Sequence, residues 1–296
     1  MSKVIVLGSN GLLGQTLTSK LLQKENYNVI PMAQGENRNP KVTDGIYQSI
    51  DINDLENLKE RIENVQPEYL VNAIAMTNVD ACEDNQEECK KVNTDLVKEL
   101  SEICKTINSH LIHISTDFIF DGKKGDYTEV DIPQPVNYYG WSKLWAEEAI
   151  INSGVSYSIL RTILVYGKVN QMKRDNIVLW LVKSLKEKNP IYLVNDQWRM
   201  PTYIGSLADA CILSMEKKAR GIYNISGKDQ LSIYEMGVKI ADYFGLDSSL
   251  ISSIPTAQLM QNAKRPVKTG FNLSKAKNDL GFQPLTLEEG LTLLKI

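Results

Sequence analysis

At 296 residues the chain exceeds one average domain but is within reach of a single α/β unit with an appended lobe. Its 43% hydrophobic content is ordinary for a globular protein, and no run approaches the ~18 apolar residues of a membrane span, so neither an embedded nor a disordered chain is expected. The net charge of −3, from 33 basic and 36 acidic residues mixed along the sequence, leaves no electrostatic footprint for nucleic acid or an anionic membrane.

The opening Met1-Ser-Lys-Val-Ile-Val-Leu-Gly8 enters a strand at once, without the regions of a signal peptide, and the expected location is cytoplasmic. Leu13, Leu17 and Leu21 then recur at helical spacing. Between strand and helix lies Gly8-Ser-Asn-Gly11-Leu-Leu-Gly14, spaced G-x-x-G-x-x-G. Glycines there permit a tight turn and a close approach of backbone to a pyrophosphate, and the helix amino terminus offers free N–H groups. The bland alternative is a tight turn alone. The position of the cluster at the head of a βαβ series favours a nucleotide, with Gly8, Asn10, Gly11, Leu12, Leu13 and Gly14 as its expected contacts.

The second strand, residues 28–32, ends in Ala33-Gln34-Gly35, where an NAD site usually places an acid for the ribose 2′-hydroxyl. Glu36 comes slightly late, and Arg38 is suited to a 2′-phosphate unless it is a solvated loop charge. NADPH is therefore expected, with NADH the alternative. Further on, Asp51 and Ile52 are candidates for the adenine end of the cofactor. Asp51 serves equally well as turn structure, and Asn53 or Asp54 suits a helix cap.

Residues 69–75 read as a buried strand ending in the small-residue stretch Ala73-Ile74-Ala75, expected beside a cofactor. A long helix over 86–108 and a strand over 111–115 follow. The alternation predicts a doubly wound parallel sheet with ligands at the carboxyl ends of its strands. Cys82, Cys89, Cys104 and Cys211 show no C-x-x-C spacing and His110 and His113 are the only histidines, so neither zinc nor a disulfide framework is expected. His113 alternates with Ile112 and Ile114, the pattern of a hydrogen-bonded core or strand-end histidine. Ser115 or Thr116 suits a substrate oxygen, or simply strand-end turn chemistry.

Tyr139-Gly-Trp-Ser-Lys143 places a phenol and an amine four residues apart, on one face of a helix. A cation within roughly 4–6 Å favours a phenolate, which makes Tyr139 a candidate acid or base. Tyr138 pairs at the same spacing with the uncharged Ser142. Past Arg161 the βαβ rhythm breaks. Helices are expected over 176–188, 204–215, 232–244 and 287–294, with strands over 191–194 and 221–225, and Ser232 with Glu235 forms a capping-box pattern. Trp198 and Arg199 on one loop, and Arg265 on another, offer an aromatic face and two guanidinium forks for a nucleotide base and phosphate. Each arginine alone serves equally well in a structural ion pair.

Together, Gly8-x-x-Gly11-x-x-Gly14, Asn72-Ala-Ile-Ala75, Ser115-Thr116-Asp117 and Tyr139-x-x-x-Lys143 resemble the extended short-chain dehydrogenase/reductase superfamily. Ser115 to Gly122, Leu160-Arg-Thr162, Val165-Tyr-Gly167, Asn195-Asp-Gln197, Pro201-Thr202 and Arg265-Pro266 are most similar to its dTDP-4-dehydrorhamnose reductase (RmlD-like) family. The resemblance implies a Rossmann-type sheet with a smaller interleaved substrate lobe: residues 1–163 plus about 203–226 for the cofactor, and about 164–202 plus 227–296 for the substrate. It implies an NADPH-dependent reductase with Tyr139 as acid and Thr116 on the carbonyl oxygen. Lys143 would lower the tyrosine pKa and bond the nicotinamide ribose. Asp117, Phe118, Trp198, Arg199 and Arg265 would line a nucleotide-sugar site. It leaves room for a homodimer and for a metal between subunits, while no metal ligand set is expected within the chain and its charge balance leads to no nucleic-acid or membrane partner.

There are three departures: Leu164 lies where the family tends to carry tryptophan, which stands against the rhamnose substrate itself; the loop over 168–174 differs; and Phe118 in place of a frequent tyrosine deletes a hydroxyl. The chain also resembles the regulatory β subunit of methionine adenosyltransferase around 198–202 and 223–246, which implies a non-catalytic NADP-binding alternative. A nucleotide-sugar epimerase or dehydratase, with Asp117 as the acidic residue, is the third reading.

Overall fold

Val4 and Val6 pack to one side of the first strand and Ile5 and Leu7 to the other, and all four are fully buried. A strand apolar on both faces belongs inside a parallel sheet covered by helices on both sides. The computed structural model, which describes residues 1–43 and 45–294, has that architecture. From β1 (Ser2–Leu7) the chain runs through α1 (Leu12–Leu21) to β2 (Tyr27–Ala33) and the two-residue β3 (Gln48–Ser49). Helix α2 (Leu55–Val65), capped by Asp54, leads to β4 (Tyr69–Asn72) on the far side of β1. Next come α3 (Val79–Asp84), α4 (Gln86–Lys90), α5 (Leu96–Thr106), β5 (His110–Thr116), α6 (Tyr138–Ser153) and β6 (Tyr157–Thr162).

The second half adds β7 (Val165–Tyr166), α7 (Ile177–Lys186), β8 (Ile191–Val194), β9 (Trp198–Arg199), β10 (Thr202–Tyr203) and α8 (Ile204–Glu216) before β11 (Gly221–Ile225). The strands and α-helices that follow are β12 (Leu231–Ser232), α9 (Ile233–Tyr243), β13 (Ile251–Ile254) and α10 (Leu287–Thr292). Seven parallel strands lie in the order β11-β6-β5-β4-β1-β2-β3. The chain reverses direction of winding between β1 and β4, and the crevice outside their carboxyl ends is where such sheets bind ligands.

Helices α1 and α8 cover one face of the sheet, while α2, α5 and α6 cover the other. A separate core of Val178, Leu181, Leu193, Met236, Ile240 and Leu291 holds the lobe built from α7, α9, α10 and the pair β13–β8. The Ser232–Glu235 capping box expected from the sequence is present at α9. The single helix expected over 86–108 is instead α4 and α5 joined through a π-helical turn at Lys91–Asp95, and the short α3 precedes it. The extra residue of a π turn re-aims a side chain. Here Asn93 is directed at the Met76 backbone, accepting from its N–H at 2.8 Å and donating to its carbonyl at 3.0 Å. Among the described residues no helix is long and apolar enough to cross a membrane.

Candidate active site

Gly8 sits at φ +84°, in the region that side chains rarely enter, and a Cβ on Gly14 would collide with the Gly8 carbonyl. The strand end and the helix start therefore touch as bare backbone. Gly11 caps α1 without any side-chain hydrogen bond, so the first-turn amides of Leu12, Leu13 and Gly14 have no capping acceptor from the chain. Ala73 and Ile74 close the other side, in contact range of any Cβ at Gly8.

Asn10 explains how a distant loop reaches this turn. Its Nδ2 donates to the carbonyls of Gln34 and Glu36 at 3.2 and 2.8 Å and to the Tyr47 hydroxyl at 3.0 Å, while its Oδ1 accepts the Arg38 N–H at 2.9 Å. Arg38 is thereby held beside the glycine turn. Arg38 is part-buried as a residue, and its guanidinium makes no hydrogen bond or ion pair with the described residues. Asp51 behaves as turn structure: its Oδ1 accepts from the Asn53 backbone and side chain at 2.9 and 3.0 Å, and Asp54 is the cap of α2. Ile52 lies part-buried next to it.

Helix α6 delivers Tyr139 and Lys143 from its first two turns, started by Asn137, whose Oδ1 accepts the Gly140 N–H at 2.8 Å. Gly140 lets the helix seat directly on the Phe118 carbonyl, where any Cβ would clash. Phe118 meets the Tyr139 ring edge-on at 5.8 Å. Burial pushes the Tyr139 phenol up; a hydrogen bond with Thr116 opposes the shift and Asp117 adds to it. The phenol is therefore a proton donor in reserve at neutral pH. Burial draws Lys143 down to about 8, against the pull of Glu147. The expected Lys143–Tyr139 coupling is not the bond that Lys143 makes: its Nζ lies 2.9 Å from Nε2 of His113.

The polar residues on the lobe side are tied to one another. Asp117 is buried, which pushes its carboxyl up, and it accepts from Thr269 and, at 3.1 Å, from the Thr116 hydroxyl. Arg199 is also buried. Its Nε approaches Asp117 at 3.9 Å, its other nitrogens donate to the carbonyls of Trp198 and Pro266 at 2.7 and 2.8 Å, and it stacks over Phe118 at 5.4 Å. Arg265 forms a two-pronged bond to Asp80. Both guanidinium groups are thus engaged with the chain itself, the structural alternative set out above. Trp198 is part-buried on β9, its backbone bonded to Val267. Leu164 takes φ +40° between β6 and β7 and packs partly buried between the lobe core and the Phe120 cluster.

Sequence reading did not single out Tyr47, Asn93 or Thr269 for the site, nor the contact of His113 with Lys143. Asn93 sits in a helical turn without local pattern, and its partner Met76 is remote in sequence.

The RmlD substrate binding domain model matches residues 2–294. A probable low-salt glycan biosynthesis reductase, Agl14, of Haloferax volcanii is 30% identical over 292 residues, covering 98% of this chain and 96% of that protein. Methionine adenosyltransferase 2 subunit beta of Rattus norvegicus is 29% identical over 92% of this chain and 81% of its own length. Among solved structures, dTDP-4-dehydrorhamnose reductase of Bacillus anthracis in complex with NADP superposes with a TM-score of 0.86 at 26% identity, covering 99% of this chain and 98% of that one.

Proposed function

The chain belongs to the RmlD substrate binding domain family, within the extended short-chain dehydrogenase/reductases, and from that premise we propose an NADPH-dependent reductase of a keto-deoxysugar carried on a nucleoside diphosphate. The observation that carries the reading is the Tyr139 phenol beside Thr116 at the carboxyl end of β5, with Lys143 one turn further along the same helix.

The residues present fit a dinucleotide. Uncapped amides at α1, bare backbone at Gly8 and Gly14 and the Arg38 guanidinium, which bonds to none of the described residues, are complementary to its phosphates. Ala73, Ile74 and Ala75 would border it, Asp51 and Ile52 would lie at its adenine end, and Lys143 would bond the nicotinamide ribose. When bound, NADPH supplies the hydride that reduces a ketone.

The chain's own residues manage the proton. Thr116 holds the carbonyl oxygen. Tyr139 gives its phenol proton to that oxygen as negative charge develops there, and the Lys143 ammonium steadies the phenolate left behind. Asp117, Phe118 and Trp198 border the sugar. The interleaved chain suggests the division of labour: residues 1–163 with about 203–226 for the dinucleotide, and about 164–202 with 227–296 for the sugar nucleotide. The Bacillus anthracis relative supports NADP as the cofactor and a dTDP-linked sugar as the substrate class.

A second reading, a non-catalytic NADP-binding subunit, is favoured by one observation. Arg199 and Arg265, the two cations expected to meet substrate phosphates, are engaged internally, in a chain also similar to methionine adenosyltransferase 2 subunit beta. Assay against a panel of nucleoside-diphosphate keto-deoxysugars separates the two. NADPH oxidation with a product heavier by two hydrogens supports the reductase; no oxidation with any member, together with a partner that co-purifies, supports the subunit.

A further inference from the structure

Lys143 is buried, and among the described residues no carboxylate is bonded to its nitrogen. The atom it meets is Nε2 of His113, at 2.9 Å, on a fully buried imidazole. On the other side of that ring, Nδ1 lies 3.3 Å from Nδ2 of the buried Asn72. Asn72 is fixed in turn, because its Oδ1 accepts the Ile74 N–H at 3.0 Å.

The donor count along this row decides where protons sit. An amide nitrogen only donates, so the His113 Nδ1 must accept, and a neutral imidazole then carries its proton on Nε2. That N–H points at Nζ, which has a lone pair to receive it only as an uncharged amine. If Lys143 is instead an ammonium, it donates to Nε2 and the imidazole proton moves to Nδ1, where it faces the donating nitrogen of Asn72. Relieving that clash requires Asn72 to turn over, which releases the Ile74 amide.

We propose that His113 is a positioning residue for Lys143, and that its tautomer, set by Asn72, ties the charge on Lys143 to the Ile74 backbone amide in the loop against the glycine turn. The catalytic meaning of the link rests on the reductase reading, but the link itself does not. The groups that face Lys143 are few. Glu147 on its own helix favours the ammonium and is paired with Arg161 from β6. Cys82 from α3 and Cys89 from α4 contribute when ionised, and Tyr139 lies one turn earlier on α6. Burial keeps His113 neutral far below its ordinary range, while Lys143 titrates at about 8. Lys143 is therefore the member that changes charge, and His113 changes only its tautomer.

The chain has 2 histidines, so nitrogen-edited NMR of the intact protein contains two imidazoles. His110, bonded to Ser156 and Ser158 and held neutral to about 4, is the internal control. As pH rises from about 7 to about 9.5, across the Lys143 titration, the His113 proton should pass from Nδ1 to Nε2 with no charging of the ring, and the Ile74 amide signal should move with the same midpoint. Lys143→Met should leave His113 in the Nε2–H form with that pH response lost. A single His113 tautomer across the wild-type titration overturns the proposal, as does a response that survives in Lys143→Met. If that variant does not fold, the wild-type titration decides alone. Neither readout needs turnover: a chain with the tautomer switch and no reductase activity retires the proposed function, and an active reductase with a fixed tautomer retires this inference.

Discussion

Arg265 grips Asp80 with two guanidinium nitrogens, each 2.6 Å from a different carboxylate oxygen. The bond fastens the segment after β13 to α3, where Asp80 also accepts the Ala263 N–H at 3.1 Å and Asp84 accepts from Asn262 at 3.2 Å. Residues 185 apart in sequence are joined across the two halves of the chain.

Replacing Arg265 by alanine should therefore loosen the clasp more than the site. Asp80 is partly exposed, so solvent screening limits the expected loss to about 1 kcal/mol in denaturant unfolding. Arg265 hydrogen bonding holds the Asp80 carboxyl below its ordinary range. A depressed carboxyl contributes stability above its unfolded value of roughly 3.9 and loses it as pH falls through the folded value. The gap between wild type and Arg265→Ala should be constant near neutrality and close in acid. If Arg265 instead meets substrate phosphate, the variant raises KM at unchanged stability.

Glu147 and Arg161 form a pair 2.7 Å apart with side chains 1% and 3% exposed. Truncating Glu147 to alanine strands a buried guanidinium, and about 3–5 kcal/mol of stability should be lost. Substituting both partners by leucine and methionine should recover most of it. A double variant as weak as the single one would place the cost in packing rather than in the unpaired charge.

Arg38 is the proposed reader of the cofactor 2′-phosphate. Arg38→Ala should weaken NADPH binding by roughly 10- to 100-fold, about 1.5–3 kcal/mol for a charged hydrogen bond, and leave NADH binding nearly unchanged. Titration of both dinucleotides by fluorescence checks this. Equal losses for the two would remove the basis for cofactor preference.

The pH profile follows from Lys143, drawn by burial down to about 8. Its ammonium is present below that value and lost above it, so turnover per unit substrate should fall as pH rises through about 8. Burial moves the Tyr139 phenol upward, so the proton donor itself persists beyond that limb. A rate still rising past pH 9 would show that the charged lysine is not required.

Much of this site was legible in the sequence because its parts are local. The glycine turn is one strand end and one helix start, and Tyr139 and Lys143 are one turn apart, so spacing alone sets their geometry. The doubly wound parallel sheet followed from the alternation of apolar strands with helices, while its strand order came from the tertiary fold. What spacing could not supply were bonds between distant residues. His113 is the buried, hydrogen-bonded histidine that its alternation with Ile112 and Ile114 predicts, yet its partner Lys143 is 30 residues away. Asn93 works only because a π turn aims it at Met76, and the helical periodicity on either side of that turn hides it. Arg199 and Arg265 had equal claims to phosphate and to ion pairs, and the tertiary fold supplied them with carbonyls and with Asp80.

Tyr139→Phe tests the central claim most directly, since it removes one hydroxyl and leaves the ring that meets Phe118 at 5.8 Å. With a nucleoside-diphosphate keto-deoxysugar that the wild type reduces, the variant should bind NADPH as tightly as before and lose about 100-fold or more in kcat, the worth of a positioned general acid. Undiminished kcat in that variant would contradict the assignment of Tyr139 as the proton donor.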